Sequence, residues 1–230
     1  MQITTLKIHT GGIYTQRDFY ANKLGLPSQI TGDELKIQIG SSELEFIQDP
    51  AFTGRYHLAF DIPNNQFQSA TKWLKQRTQI ASDVNGNTQF KTNEWNADNV
   101  YFYDPQGNIL ELIARHELEN ANENPFGPES LLCISEIGIA SKDVPEMIAW
   151  FAKMLEVGTY KSVSDTFAPI GDAHGLAIAV LEDRIWFPDT GIPAQILPTE
   201  LTIHGQQTFT HKIPNTPYIV HVKPQTREPT

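Results

Sequence analysis

Short runs of alternating apolar and polar residues, broken twice by a helical stretch, constrain this chain more than any other feature. The runs cover residues 3–9, 35–39, 44–47, 56–62, 100–103 and 109–113. Each reads as a short strand with one apolar and one polar face. Between them, TQRDFYANKLGL places Phe19 or Tyr20 with Leu24 on one helical stripe, followed by Gly25 as a C-terminal cap. NNQFQSATKWLKQR puts Phe67, Ala70 and Leu74 at i, i+3 and i+7 after a Pro63 break. The order is strand, helix, strands, then the same again, which predicts an α+β fold.

The stretch HELENANENPFGPES is poor in large apolar residues and predicts a linker, leaving 1–116 and 131–230 as two domains joined by 117–130. Past it, Asp143 stands as an N-cap with Glu146 three residues on. Val144, Ile148, Phe151 and Leu155 then form an apolar stripe. FYANKLGL at 19–26 aligns without gaps on WFAKMLEV at 150–157, and LKI at 6–8 falls on IGI at 137–139 in the same frame. The second half thus begins as a copy of the first. It departs later. HGLAIAVLEDRIWFP predicts a hairpin, TELTIHG and PYIVHVKP predict strands, and no fourth helix follows, so this domain is expected to be truncated. The final TREPT is expected to fray.

The chain carries 27 acidic and 17 basic residues, a formal charge of −10, with no basic cluster to meet phosphates. A nucleic-acid partner is therefore not expected. No apolar run is long enough to span a bilayer, and MQITTLKIHTGG lacks the form of a signal peptide. With Cys133 the single cysteine, these features predict a cytoplasmic protein with neither disulfide nor membrane association.

The chemistry-bearing residues sit on the polar faces of the strands. In YFYDPQGNILELIARH an Asp-Pro-x-Gly-Asn turn joins two strands, and the second places Glu111 on one face with Ile109, Ile113 and Arg115. A carboxylate on a covered face must be solvated, paired or metal-bound, and Arg115 is the available ion-pair partner. His57 shares its face with Ala59 and Asp61; taken alone it reads first as a hydrogen-bonded structural histidine and second as a ligand. Glu45 alternates outward from Leu44 and Phe46, either as a solvated edge residue or as a third donor. Imidazole with carboxylates suits Zn, Fe, Mn, Ni or Co. Thr5, Lys7, His9, Tyr101, Tyr103 and Arg115 are weaker candidates for holding a small substrate in the same concavity. In the repeat frame Glu136 occupies the position of Thr5, and reads as an exposed strand residue or a donor of the second half. No nucleophile elbow, P-loop, dinucleotide fingerprint or HExxH motif is present.

The FYANKLGL helix end, HLAFDIP opening the second unit and YFYDPQGNILELIA closing it together resemble the vicinal oxygen chelate superfamily. That superfamily includes glyoxalase I, bleomycin and fosfomycin resistance proteins and extradiol dioxygenases. The resemblance spans 3–116 well and 131–205 more loosely. It implies paired βαβββ units whose mixed sheets curl around one divalent metal ion, with ligand positions at Thr5, Glu45, His57 and Glu111. Thr5 is a weak donor. The resemblance therefore leaves three arrangements: a metal on Glu45, His57, Glu111 and water, a shifted register that brings in His9, or an empty site. It implies either a lyase or isomerase of the glyoxalase sort, with Glu45 as a ligand or general base, or an oxygen-dependent ring cleavage. A metal-free small-molecule binding or resistance protein is the alternative. A third, blander reading leaves the whole C-terminal half only the task of covering the sheet or making a homodimer interface.

Overall fold

The computed structural model describes residues 1–224, so the TREPT segment lies outside the described residues. Strands β1 (Ile3–Thr10), β2 (Ser28–Thr31), β3 (Glu34–Ile39) and β4 (Ser42–Gln48) form the first unit, with helix α1 (Ile13–Arg17) continuing as a π-helical turn over Asp18–Lys23. The second unit holds β5 (His57–Ile62), α2 (Phe67–Lys75), β6 (Phe90–Thr92), β7 (Ala97–Tyr103) and β8 (Ile109–Arg115). After the connector come β9 (Cys133–Ser141), α3 (Val144–Leu155), β10 (Phe167–Asp172) and β11 (Gly175–Leu181). Strands β12 (Thr199–His204), β13 (Phe209–Lys212) and β14 (Tyr218–Lys223) close the described chain.

Two mixed sheets of seven strands result. The first runs β13-β14-β12-β1-β4-β3-β2 and the second β10-β11-β9-β5-β8-β7-β6. Each sheet therefore takes strands from both sides of the connector. At its centre two unit-opening strands meet antiparallel, β1 with β12 and β5 with β9. In every unit the opening strand pairs in parallel with the closing one: β1 with β4, β5 with β8, β9 with β11, and β12 with β14. The later units are shorter by one strand, and among the described residues no helix separates β12 from β13.

Alternation sets the two faces of each sheet. Leu6 and Ile8 of β1, Phe46 of β4, Leu58 and Phe60 of β5, and Leu110 and Leu112 of β8 share one buried core with the buried faces of the helices. On α2 the expected Phe67, Ala70 and Leu74 stripe is buried. On α3 the Asp143 carboxylate accepts from the Glu146 N–H at 2.8 Å, as an N-cap does. Val144 and Phe151 of its stripe are fully buried, while Met147 takes the burial expected of Ile148. Gly25 follows the first helix at φ +78°, the left-handed conformation that a cap glycine accepts without strain.

One expectation needs correction. The hairpin expected within HGLAIAVLEDRIWFP forms instead between β10 and β11, turning at residues 172–175. Its second half, 182–188, leaves the sheet because its backbone pairs with 192–194 instead, Trp186 N–H donating to the Ile192 carbonyl at 3.0 Å and Ala194 N–H to the Arg184 carbonyl at 2.8 Å. The connector is hydrogen-bonded to the second unit. Gln66 Nε2 donates to the carbonyls of Asn122 and Asn124, and Asn64 Nδ2 donates to the Leu118 carbonyl. These bonds tie it to the start of α2.

Candidate metal centre

Three adjacent strands of the second sheet build the site. On β5, Ala59 lies level with Glu111 of β8 on one side and Glu136 of β9 on the other. Across neighbouring strands ~4.8 Å apart the two carboxylates flank a methyl group, so they lean toward each other over an open gap. His57, two residues earlier on the same face of β5, completes the group. Donor atoms of His57, Glu111 and Glu136 all lie within 4.8 Å of one another, and all three residues are buried. A bulge helps to aim Glu136. Ser135 and Glu136 together oppose Ala59, which turns both side chains to the same side.

The protonation of His57 follows from its partner. Nδ1 lies 3.2 Å from the Ile109 carbonyl, which can only accept, so Nδ1 carries the proton. Burial pushes the imidazole down to about 4, so it is neutral near pH 7. Its Nε2 lone pair then faces Glu111 Oε2 at 3.6 Å, an approach of two acceptors that a proton or a cation must mediate. Burial, and then the negative charge of Glu136, raise the Glu111 carboxyl. Burial likewise raises Glu136 against the pull of Arg115. Asn99 fixes Glu111 in place: its Nδ2 donates to Oε1, and its own Oδ1 accepts from Thr92 Oγ1 at 3.0 Å.

A neutral imidazole with its lone pair aimed at two desolvated carboxylates fits a first-row divalent cation. A backbone carbonyl behind the histidine and an amide behind the carboxylate hold both donors in orientation.

Above the cluster opens a cavity of about 570 Å³ with Phe90, Trp95, Tyr101, Phe167, Trp186 and Phe187 in its walls. Trp186 arrives from the 182–198 loop, and its ring centroid lies 5.0 Å from that of His57. Gly138 makes that seat possible. A Cβ there would meet Trp186 Cη2 at 2.5 Å, too close for any other residue.

Of the residues singled out in the sequence, the structure brings His57, Glu111, Tyr101 and Arg115 to this one face. It separates Glu45 from them, because β4 belongs to the other sheet. There Glu45 Oε2 pairs with Lys7 Nζ at 3.0 Å, and Oε1 pairs with Lys36. Burial alone would raise the Glu45 carboxyl, but bonds from Lys36 and Lys7 pull it down to about 2. Thr5 and Lys7 lie on β1 in that same first sheet. His9 lies there too, its backbone N–H donating to the Tyr56 hydroxyl at 3.2 Å. Tyr103, at the far end of β7, packs beside the cavity cluster without lining the cavity. Glu136 joins the centre instead, and the repeat frame that set it against Thr5 was the signal for it. Asn99 and Trp186 carried no such signal, since one is a plain strand residue and the other sits in a loop.

No protein-family model matches this chain, and no curated protein matches it. Solved structures do. A candidate dioxygenase from Bacillus subtilis superposes with a TM-score of 0.65 over 98% of this chain and 86% of that one, at 12% identity. Glyoxalase I from Zea mays superposes with a TM-score of 0.54 over 96% of this chain and 91% of that one, also at 12% identity. The fold is that of the vicinal oxygen chelate superfamily. At such identities the likeness is one of architecture, two tandem halves in curled mixed sheets, and the chemistry has to be argued from the site.

Proposed function

We propose that this protein is a divalent-metal-dependent enzyme acting on a small, oxygen-bearing substrate, with His57, Glu111 and Glu136 as the protein ligands. The observation that carries the proposal is the convergence of these three donors, within 4.8 Å of one another, at a cavity walled by aromatic rings. A bound ion would supply Lewis acidity toward two neighbouring substrate oxygens and offset negative charge developing on them. The rest falls to the chain. Ile109 holds the imidazole tautomer, Asn99 holds Glu111, and Ala59 leaves the gap between the carboxylates. The aromatic walls exclude water and suit a flat substrate.

Three protein donors leave coordination positions free, as a catalytic site requires. In the repeat frame the partner of Lys7 on β4 is Glu45, whereas the partner of Gly138 on β11 is Ile178. The carboxylate expected as general base for an isomerase thus has an apolar counterpart in this cavity. That contrast favours the oxygen-dependent reaction over the glyoxalase-like one.

Metal analysis of purified, reconstituted protein tests the first step. One divalent ion per chain in the wild type and none in His57→Ala is expected. Absence of metal from the reconstituted wild type would overturn the enzyme reading in favour of a metal-free ligand-binding protein. With the loaded protein, oxygen uptake on catechols, without glutathione-dependent turnover of methylglyoxal, is the expected division between the two chemistries. The reverse pattern would restore the isomerase.

A further inference from the structure

Arg115 is fully buried, and its Nη2 donates to Glu136 and, at 3.3 Å, to Ser135 Oγ. Among the described residues its Nε and Nη1 have no hydrogen-bond partner. Nearby, Asp61 is 5% exposed; among the described residues its Oδ2 accepts only a long bond of 3.4 Å from Asn120, and its Oδ1 has no hydrogen-bond partner. Among the described residues no cation pairs with Asp61, although the Arg115 charge is felt there and opposes the burial that lifts this carboxyl to about 7. A buried guanidinium and a buried carboxyl, both incompletely satisfied and close together, make a costly arrangement unless another state pairs them.

Register shows that such a state is within reach. Asp61 lies level with Ile113 of β8, and Arg115 is the next residue of β8 on that face. Glu136 lies level with Ala59, two residues away from Asp61 along β5. At ~3.3 Å per strand residue the two acids are offset by roughly 7 Å along the sheet, which side-chain rotation of an arginine can cover. Trp95 and Tyr160 flank the guanidinium, with ring centroids 5.4 and 6.0 Å from its central carbon, and would guide that motion.

We infer that Arg115 is a resident counter-cation of the metal-free centre: it holds Glu136 until a divalent ion binds, then releases it and pairs with Asp61. The inference rests on the metal-binding role proposed above. Charge supports the exchange. A divalent ion drawn to the Glu111 and Glu136 oxygens would repel the guanidinium that now sits on Glu136, and the unfilled Asp61 oxygens are the acceptors left to it on the same face. Arg115 is then a positioning residue, acting on the metal through Glu136.

The exchange is tested by titrating Zn²⁺ into metal-stripped protein by calorimetry, with thermal unfolding of each metal-free form as a second readout. Asp61→Asn, which takes away the place to which Arg115 moves, should weaken Zn²⁺ binding about tenfold or more. Arg115→Met, which removes the competitor, should bind Zn²⁺ more tightly while its metal-free form melts at a lower temperature. In the Arg115→Met background Asp61→Asn should no longer change affinity. Arg115→Lys, which keeps a cation, should keep the dependence on Asp61 and serves if the Met variant does not fold. An Asp61→Asn affinity equal to wild type, or a loss that persists in the double variant, overturns the exchange while leaving the metal site standing. Failure of the wild type itself to bind Zn²⁺ overturns the metal reading, and the exchange with it.

Discussion

The polar faces of the two sheets are the same frame filled in two ways. Thr5, Glu45, Glu200 and His221 on the first occupy the positions that Glu136, Ile178, His57 and Glu111 occupy on the second. His221 Nε2 even lies 3.3 Å from Glu200 Oε2, the His57–Glu111 pair with its members exchanged. Yet one face is ion-paired and partly open to water, and the other is a buried cluster under a cavity. The difference lies in what stands between the donors. On the first sheet Lys7 reaches over the face and ties down Glu34 and Glu45. Its counterpart on the second sheet is Gly138, and the counterpart of Thr202 is Ala59. Both sheets carry acids on these faces; among the described residues only the second has small residues beside them and a loop that roofs the space.

The cation of the first sheet can be carried into the second. Gly138→Lys puts a Cβ into the seat of Trp186 and an ammonium beside Glu136. It should abolish metal retention and destabilise the fold by about 1–3 kcal/mol, as overpacking does. Metal content and denaturant unfolding measure the two effects. Retained metal at wild-type stoichiometry would show that the small residue is not what distinguishes the sheets.

The reverse change is milder and depends on pH. Lys7→Ala leaves Glu45 with Lys36 alone, which should cost about 1 kcal/mol at neutral pH and leave metal content unaltered. In the wild type the Glu45 carboxyl is held at about 2, below its ordinary 4.5. A lowered carboxyl contributes stability that is complete above 4.5 and is lost as pH falls through about 2. The gap between wild type and Lys7→Ala should therefore be widest near neutrality and close across that window. A gap that widens toward acid would contradict the ion-pair account.

Much of this was legible in the sequence where one strand suffices to read it. Alternation placed His57 with Ala59 and Asp61 on one face, and the turn after Tyr103 placed Glu111, because side-chain period is a local property. Glu45 went astray because period says nothing about which strands share a sheet. The units on either side of residue 56 look like partners in sequence, but β1–β4 pair with β12–β14 and β5–β8 with β9–β11. Glu136 could be found only through the repeat, and a lone carboxylate in SEIGIAS offered no reason to bury it. The roof over the centre was the least readable part, since Trp186 belongs to a loop outside the strands and its ring needs the room that Gly138 leaves.

The smallest expected effect is the most direct control on the frame itself. Glu200 and His57 hold equivalent places, two residues into β12 and at the start of β5, each facing its partner on a parallel neighbouring strand. If position in the frame were enough to define a ligand, neutralising Glu200 would alter metal content as His57→Ala does. Its side chain is 42% exposed, however, and its bond to His221 is open to water, where such pairs contribute little. Glu200→Gln should therefore shift stability by less than about 0.5 kcal/mol and leave metal stoichiometry untouched, as read by thermal unfolding and metal analysis. Loss of metal in this variant would mean that the first sheet contributes to the centre, and that burial and small neighbours are not what separates the two faces.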